Sequence, residues 1–494
     1  MTSPPTTPSG AGRSVGVVLA SNTGWRLLAF GARSLGGLVV TVLLAHLEGP
    51  AGLGRFQFAL TLTLLLSFAV AFGLPKLLVR ELARRPDQIE DVVATATTTA
   101  LIAGTVVTLL MFSVGQLLGA DTTVLVLAGL ALTMDSAMRI NMTPFWALEK
   151  MRYEALAVGV QEVVFLALAA GALIVGAGAV GVMAAYLVSR IVGFGIAWLI
   201  VATRFGVVIV PRWRAGSFAP LLRKSTPFAL DDALSLAYIR LDTILLGIIV
   251  GAHAVGLYQS ATNLVLYLNI LPRMLNLSMY PRMSRAWPGQ VAELRRLLDS
   301  SLLILGAIAV PITVGSLLLA PRIFAVMYGS RFESAVLAYQ LLVPIIPMRM
   351  LGNSLGTALT AADRQTQRTV AVGVAAVVNV SLNLALIPRW SFFGAVVATL
   401  VTETGLFVAY AVMLRRVAGA TCLPMAIGVP GLACLPLAGA VVVFADAPLA
   451  LVIGIAGLAY VVALYAIVAL SAHERTLRPR VVASTFLRLS PPMT

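Results

Sequence analysis

The stretch that decides the fold runs from Tyr238 to Ser284 and reads YIRLDTILLGIIVGAHAVGLYQSATNLVLYLNILPRMLNLSMYPRMS. It predicts an apolar helix that carries Arg240 and Asp242, then a glycine-rich turn, then a second apolar helix that ends in a basic cluster. Charged side chains are costly inside a bilayer, so those found there usually line an aqueous cavity or pair within the protein. The stretch therefore indicates two membrane-spanning helices with a polar interior.

The rest of the chain has the composition of a polytopic membrane protein. Of 494 residues, 59% are hydrophobic and 11% are charged, and the mean hydropathy is +0.96. Apolar runs of about 20 residues, the length that a helix needs to cross a bilayer, recur throughout. We predict an all-α membrane fold with about 14 transmembrane helices, in two six-helix lobes plus a C-terminal pair. The predicted spans lie near 17–46, 56–78, 93–119, 122–147, 154–177, 179–203, 226–250, 255–281, 298–321, 334–361, 367–388, 391–414, 421–444 and 448–471.

The distribution of positive charge predicts the orientation. Alternate loops carry 24 Lys and Arg on one side and 4 on the other, so the positive-inside rule puts both termini in the cytoplasm. We expect the membrane to be a bacterial plasma membrane. The net charge of +15 then needs no nucleic-acid partner. All the basic residues inside predicted spans are arginines: Arg26, Arg33, Arg139, Arg190, Arg240, Arg273 and Arg349.

A repeated turn divides the chain into halves. GPAGLGRFQFA from Gly49 matches GAHAVGLYQSA from Gly251 at an offset of 202 residues. Six spans per half make the halves parallel repeats, for which a site at their interface is expected. We predict the following regions: a disordered tail at 1–13, an N-lobe at 14–204, a C-lobe at 225–416, an extra helix pair at 420–471 and a basic cytoplasmic tail at 472–494.

Arg26 and Arg33 are the first candidates for binding a ligand. Seven residues apart, they share one helix face at a separation of about 10.5 Å. Guanidinium groups match phosphate oxygens, so the pair suits a diphosphate. The alternative is pairing with acids such as Asp135 or Glu162.

Two later spans carry polar stripes. Asn269, Arg273 and Asn276 lie on one face of the eighth predicted span, and Arg349 and Asn353 lie on one face of the tenth. These residues either line a cavity or form the hydrogen bonds between helices that Asn commonly makes in membranes.

Acidic residues of the seventh span are candidates for ion coupling. Asp231 and Asp242 lie on nearly one face, with Asp232 and Arg240 beside them, and intramembrane acids can bind protons or cations. The alternative is an internal salt bridge with Arg240.

For three other acidic residues within predicted spans, the sequence predicts structural roles. Asp135 is spaced i, i+4 from Arg139, which predicts an ion pair. Glu162 and Glu403 have no such neighbour and are expected to stand alone in structural roles.

No catalytic signature is present. The three histidines have no metal-ligand spacing, and no HExxH, Walker A or GxSxG motif occurs. Cys422 and Cys434 lie twelve residues apart in one apolar segment, too far along a helix for a disulfide. We therefore expect no enzyme activity, cofactor or metal.

Two motifs resemble those of a known family. The run VVNVSLNLALIPRWSFFGAVVATLVTE at 377–403 and the run RLDTILLGIIVGAHAVGLYQSA at 240–261 are similar to motifs of the Wzx-like polysaccharide and oligosaccharide-lipid flippases. These flippases belong to the multidrug/oligosaccharidyl-lipid/polysaccharide (MOP) exporter superfamily. Ser391 and Phe392 stand near a position where a glycine is common, which is a small departure.

This resemblance implies a function and a site. Such proteins move polyprenyl-diphosphate-linked sugars across the plasma membrane by alternating access, with two lobes around a central cavity. The implied partners are an undecaprenyl-diphosphate-linked glycan, the lipid bilayer and polysaccharide-assembly membrane proteins. The last two helices, within 421–471, would form a groove for the lipid tail. The cationic residues facing the diphosphate would be Arg26, Arg33 and Arg273, with Arg139, Arg240 and Arg349 as lesser candidates.

Three alternatives remain open at this point. A lipid-linked peptidoglycan precursor is the nearest rival substrate. A cation-coupled multidrug antiporter of the same superfamily would favour an acidic, aromatic cavity. A glycosyltransferase or polymerase would need a sizeable loop domain or an acidic metal motif.

Overall fold

The described part of the protein is built from α-helices, as the sequence predicts. The computed structural model describes residues 15–85, 89–212, 215–268 and 270–473, and within these ranges it contains no β-strand. The predicted tail at 1–13 and nearly all of the tail at 472–494 lie outside the described residues. The helices are α1 (Val15–Ala71), α2 (Leu74–Arg84), α3 (Ile89–Leu118), α4 (Thr122–Asn141), α5 (Thr143–Ala147), α6 (Met151–Ile174), α7 (Gly178–Phe205), α8 (Ala215–Ile249), α9 (Ala252–Tyr267), α10 (Ile270–Ala286), α11 (Val291–Met327), α12 (Glu333–Leu342), α13 (Ile345–Ala361), α14 (Gln365–Trp390), α15 (Phe392–Ala418), α16 (Leu423–Val443) and α17 (Leu449–His473).

Membrane-spanning helices account for most of these elements. Among the described residues, 11 helical segments are long and apolar enough to cross a bilayer. The predicted span 17–46 falls on α1, and the predicted span 56–78 runs from α1 into α2. The predicted span 255–281 is divided between the shorter helices α9 and α10. The fold class is therefore confirmed, while the number fourteen stays a prediction.

The repeated turn has a similar backbone conformation at both of its copies. Gly49 has φ 70° and ψ −165° where α1 breaks before Pro50, and Gly251 has φ 107° and ψ −179° where α9 begins. A positive φ of this kind favours glycine, because a Cβ atom would be strained there. The aromatic residues at matching positions, Phe56 and Tyr258, are both buried. The sequence match thus corresponds to a shared local structure.

The chain divides into two compact units, Met1–Ile244 and Leu245–Thr494. In the first unit, α4 packs against α1, α3 and α7, and α6 packs against α1 and α7. In the second, α13 packs against α10, α11 and α15, and α11 packs against α16. The division falls inside α8, whereas the sequence predicts that the second lobe starts at 225, so the lobe boundaries remain a prediction.

The C-terminal helix pair is anchored on α11. Buried side chains of α16 and α17 form one apolar cluster with Val310 and Leu319 of α11. The Tyr460 hydroxyl donates a 2.7 Å hydrogen bond to the Ala307 carbonyl oxygen. Both cysteines are free thiols, as expected. The lipid-tail groove predicted for this region stays a prediction.

Close contact between α3 and α4 depends on two glycines. A Cβ atom at Gly104 would overlap the Thr133 side chain, and one at Gly129 would lie 2.8 Å from Thr108 Oγ1. Each threonine hydroxyl donates to the carbonyl oxygen of the glycine four residues earlier on its own helix. Small residues that let backbones approach are typical of membrane helix interfaces.

Gly104→Ala is therefore expected to lower the free energy of unfolding by about 1–3 kcal/mol, the usual cost of overpacking. The measurement is the thermal unfolding midpoint of the purified protein in detergent. Gly159→Ala on α6 is the control, because nothing lies within 4 Å of its added Cβ atom. Equal midpoints for the two variants would contradict this account of the α3–α4 contact.

The departure at Ser391 falls on a strained position in the connection between α14 and α15. This residue has φ 53° and ψ −136°, a conformation that side chains with a Cβ atom rarely adopt. The family motif has a glycine near this point, which fits the same backbone without strain.

Ser391→Gly is expected to stabilise the protein by about 1–2 kcal/mol, because it releases strain of that order. The change should appear as a higher thermal unfolding midpoint. Ser391→Ala keeps the Cβ atom and is the matched control. A glycine variant no more stable than the alanine variant would show that the position is unstrained.

Candidate functional site

A buried arginine lies at the centre of the first unit. Arg190 of α7 has a side chain that is only 4% exposed, and its Nη2 lies 3.3 Å from Glu162 Oε1 of α6. Its Nη1 lies 3.6 Å from Asp135 Oδ1 of α4. The ring of Tyr186, one turn earlier on α7, lies 4.2 Å from the Arg190 Cζ. One guanidinium thus links three helices through two carboxylates and an aromatic face.

Two further arginines share those carboxylates. Arg139 Nε lies 2.7 Å from Asp135 Oδ2, and Arg33 Nε lies 3.6 Å from Glu162 Oε1. We call Arg33, Asp135, Arg139, Glu162 and Arg190 the arginine cluster. It joins α1, α4, α6 and α7, and its three positive and two negative groups leave one positive charge in excess.

Unlike Arg190, two members of the arginine cluster are accessible. The side chains of Arg33 and Arg139 are 42% and 43% exposed. A charged arginine facing hydrocarbon at mid-membrane would cost about 2.5–3.5 kcal/mol. The exposed N–H groups are therefore expected to face water or a polar ligand.

The interior of the cluster has spare hydrogen-bonding capacity. Gln161 Nε2 donates a 2.9 Å hydrogen bond to Glu162 Oε1. In the described part of the chain, the buried Gln161 Oε1, Arg190 Nε and Arg190 Nη1 have no hydrogen-bond partner. Such groups usually bond to water or a ligand when they are buried. A Cβ atom at Gly193 would meet Gln161 Oε1, so this glycine leaves the space that Gln161 fills.

These contacts correct several expectations. The predicted Asp135–Arg139 pair is confirmed. For Arg33, the alternative of pairing with Glu162 is the one that the structure shows. The expectation that Glu162 stands alone is wrong, because Arg33 and Arg190 both lie beside it. Arg190 was not among the predicted site residues, and its occurrence as an arginine within a span was the signal available.

The second unit contains an ion pair between partly buried side chains. Arg349 Nη2 of α13 donates to Glu403 Oε1 of α15 at 2.7 Å. The expectation that Glu403 stands alone is therefore wrong, because the pairing of two helices brings an arginine to it. The pair carries no net charge, in contrast to the arginine cluster.

Asn276 lies in a network between helices. It is buried, its Nδ2 donates to Asn353 Oδ1 at 3.1 Å, and its Oδ1 accepts from Ser301 at 3.3 Å and from Ser354 at 3.0 Å. These bonds join α10, α11 and α13. Hydrogen bonding between helices, the alternative that the sequence left open, is what the structure shows for Asn276 and Asn353.

The remaining candidates have varied surroundings. Arg273 is exposed, and the described residues give it no acidic partner. Asp242 Oδ1 accepts hydrogen bonds from the amide and the hydroxyl of Thr243, and both Asp242 and Arg240 have further interactions. Within the described ranges, no group of three or more His, Cys, Asp or Glu residues is arranged to hold a metal ion. Four predicted positions lie outside the described part: the side chains of Arg26, Asp231 and Asp232, and residue Asn269.

Arg190→Ala is expected to destabilise the protein by about 3–5 kcal/mol, because it leaves buried carboxylates without their shared partner. The readout is the thermal unfolding midpoint in detergent. Arg296→Ala removes an arginine of an exposed pair, whose Nη1 lies 3.8 Å from Glu293 Oε2, and should cost about 0–1 kcal/mol. A loss at position 190 no larger than at position 296 would contradict the central role given to Arg190.

Comparison with known proteins agrees with the fold. A family model described as "Polysaccharide biosynthesis protein" matches residues 19–287. A protein named "Probable flippase AglR" from Haloferax volcanii is 33% identical over 180 residues. That match covers 35% of this chain and 37% of the relative, so it spans little more than a third of the relative's length.

Solved structures extend the likeness to nearly the whole chain. The lipid II flippase MurJ, in an inward closed conformation, superposes with a TM-score of 0.74 at 13% identity, covering 91% of this chain and 99% of MurJ. An inward-facing multidrug resistance MATE family transporter of the MOP superfamily gives a TM-score of 0.64 at 15% identity, covering 78% and 94% of the two chains. Because the family model covers more than half of its length, the chain belongs to the polysaccharide biosynthesis protein family, and its fold is that of the MOP superfamily.

Proposed function

We propose that the protein is a flippase for a polyprenyl-diphosphate-linked oligosaccharide, working by alternating access in cell-surface polysaccharide biosynthesis. The observation that carries the proposal is the arginine cluster, which holds excess positive charge and two half-exposed guanidinium groups among membrane-spanning helices. A lipid-linked sugar needs this kind of site at its diphosphate, since that group is the part that the bilayer excludes most strongly.

The chemistry of the cluster suits two phosphate groups. Each guanidinium has five N–H donors, and among the described residues Arg33 and Arg139 each form one ion pair. Their remaining donors are available for phosphate oxygens, which arginine binds with two parallel hydrogen bonds. Arg190 lies beside both carboxylates, and each carboxylate also pairs with Arg33 or Arg139. The two acids therefore orient Arg33 and Arg139, and the cluster keeps one excess positive charge.

The relatives support the same class of substrate. The Haloferax protein is named a probable flippase, and MurJ is named a lipid II flippase. The multidrug transporters share the fold, but a cationic drug would be repelled by a cluster with excess positive charge. Electrostatics therefore favour an anionic substrate over a cationic one.

Other predicted roles belong to the proposal and await direct tests. Contact of the diphosphate with residues outside the cluster is one such part, and it concerns the other predicted residues: Arg26, Arg240, Arg273, Arg349, Asn269 and Asn276. Ion coupling through Asp231, Asp232 or Asp242 is a separate part of the proposal. The proposal also includes a bacterial plasma membrane with cytoplasmic termini, an undecaprenyl carrier and association with polysaccharide-assembly proteins.

The proposal predicts that Arg33→Ala and Arg139→Ala each slow flipping about 10- to 100-fold, because a hydrogen bond to a charged group contributes about 1.5–3 kcal/mol. The assay uses proteoliposomes with a fluorescent polyprenyl-diphosphate-linked oligosaccharide. It measures the fraction of the lipid that a membrane-impermeant quencher reaches over time.

Arg55→Ala is the matched control for those variants. Arg55 is 42% exposed, as Arg33 is, and pairs with Glu48 and Asp121 in the same unit, but it lies outside the arginine cluster. Normal flipping by the Arg33→Ala, Arg139→Ala double variant would remove the cluster from the mechanism. Transport of a lipid-linked peptidoglycan precursor alone would select that rival substrate, and transport of cationic drugs alone would refute the proposed function.

A further inference from the structure

A basic cavity lies in the first unit, apart from the arginine cluster. It has a volume of about 620 Å³ and is lined by Trp25, Arg152, Tyr153, Ala155, Leu156 and Arg204. Trp25 precedes Arg33 by eight residues on α1, which corresponds to about 12 Å along the helix. The cavity therefore lies roughly two helical turns from the cluster, at the start of α6 and the end of α7. The charge distribution assigns this end of the helices to the cytoplasm.

Positive charge in this cavity is not neutralised by its walls. In the described part of the chain, none of the lining residues is acidic, and neither Arg152 nor Arg204 forms an ion pair. Arg152 Nη2 donates a 3.0 Å hydrogen bond to the Tyr153 hydroxyl, and its Cζ lies 4.8 Å from the centre of that ring. This contact orients Arg152 and leaves most of its donors free.

Aromatic packing holds the two arginines at one end of the bundle. The rings of Phe145, Tyr153 and Phe205 lie within 5.6–6.1 Å of one another. Lys150 adds a cation 4.8 Å from the centre of the Phe205 ring. Because Tyr153 and Phe205 are sequence neighbours of Arg152 and Arg204, the ring contacts fix the start of α6 against the end of α7.

The remaining walls of the cavity are apolar or amphipathic. Trp25 and Leu156 are exposed although they are large and hydrophobic. Tryptophan and tyrosine concentrate at the level of lipid head groups, where an apolar ring meets water. Basic pockets between membrane helices on the cytoplasmic side bind anionic head groups.

We propose that this cavity binds the phosphate head group of an anionic membrane phospholipid, with Arg152 and Arg204 on the phosphate and Trp25 and Leu156 against the glycerol and upper acyl carbons. A lipid fits better than a free anion because the cavity combines unpaired cations with an exposed apolar wall. The inference does not depend on the proposed transport activity. The flippase assay and the lipid-binding test below can therefore fail separately.

Thermal unfolding of the delipidated full-length protein tests the proposal. Phosphatidylglycerol, added to protein in a neutral detergent, should raise the unfolding midpoint by several degrees more than phosphatidylcholine does. In Arg152→Gln, Arg204→Gln the extra shift should disappear. The control Arg415→Gln, Arg416→Gln removes the same charge from the last turn of α15 and should keep the shift. An undiminished shift in the cavity variant would overturn the proposal.

Two further arms identify the source of the phosphate. Inorganic phosphate and glycerol phosphate should give little stabilisation, and a shift equal to that from the lipid would overturn the assignment to a phospholipid. The difference in fluorescence between the wild-type protein and Trp25→Phe gives the emission of Trp25. Phosphatidylglycerol with brominated acyl chains should quench this emission, and brominated phosphatidylcholine should not. This measurement leaves both arginines in place, so it decides the question even if the glutamine variant fails to fold. Equal quenching by the two lipids would refute the site.

Discussion

The cost of removing a guanidinium from water governs the first unit. An isolated charge in the interior loses several kcal/mol of hydration, which only well-placed opposite charges and hydrogen bonds can offset. Arg190 meets that requirement with Glu162, Asp135 and the Tyr186 ring. Since these partners come from α4, α6 and α7, the helices must pack in one arrangement for the charge to be tolerated. The need to neutralise Arg190 therefore also determines how α4, α6 and α7 pack together.

That constraint also explains why the two units differ. In the second unit, Arg349 pairs with Glu403, and an asparagine–serine network joins α10, α11 and α13. In the first, two carboxylates serve three arginines, so positive charge remains on Arg33 and Arg139, which are also the accessible members. A fully neutral cluster would be easier to bury but would have no attraction for a diphosphate. The excess charge thus destabilises the unit and is also the basis of its proposed function.

Local patterns predicted part of this arrangement, and contacts between distant segments account for the rest. The i, i+4 spacing gave the Asp135–Arg139 pair, and the 202-residue offset matched two breaks with similar backbone angles at Gly49 and Gly251. Arg190 and Glu162 are 28 residues apart on different helices, so no helical periodicity relates them. For the same reason, the partner of Glu403 could not be read from its own span. A single sequence shows which charges are buried in spans, but helix packing decides which of them meet.

The central claim is that the arginine cluster recognises the diphosphate of a lipid-linked glycan. The most direct measurement compares two substrates in the same proteoliposomes: one oligosaccharide on a polyprenyl diphosphate, and the same oligosaccharide on an uncharged polyprenyl ether. The account predicts that the wild-type protein moves the diphosphate-linked molecule and leaves the neutral one in its original leaflet. Equal rates for the two substrates would contradict it, because the protein would then recognise the sugar or the lipid and not the charge.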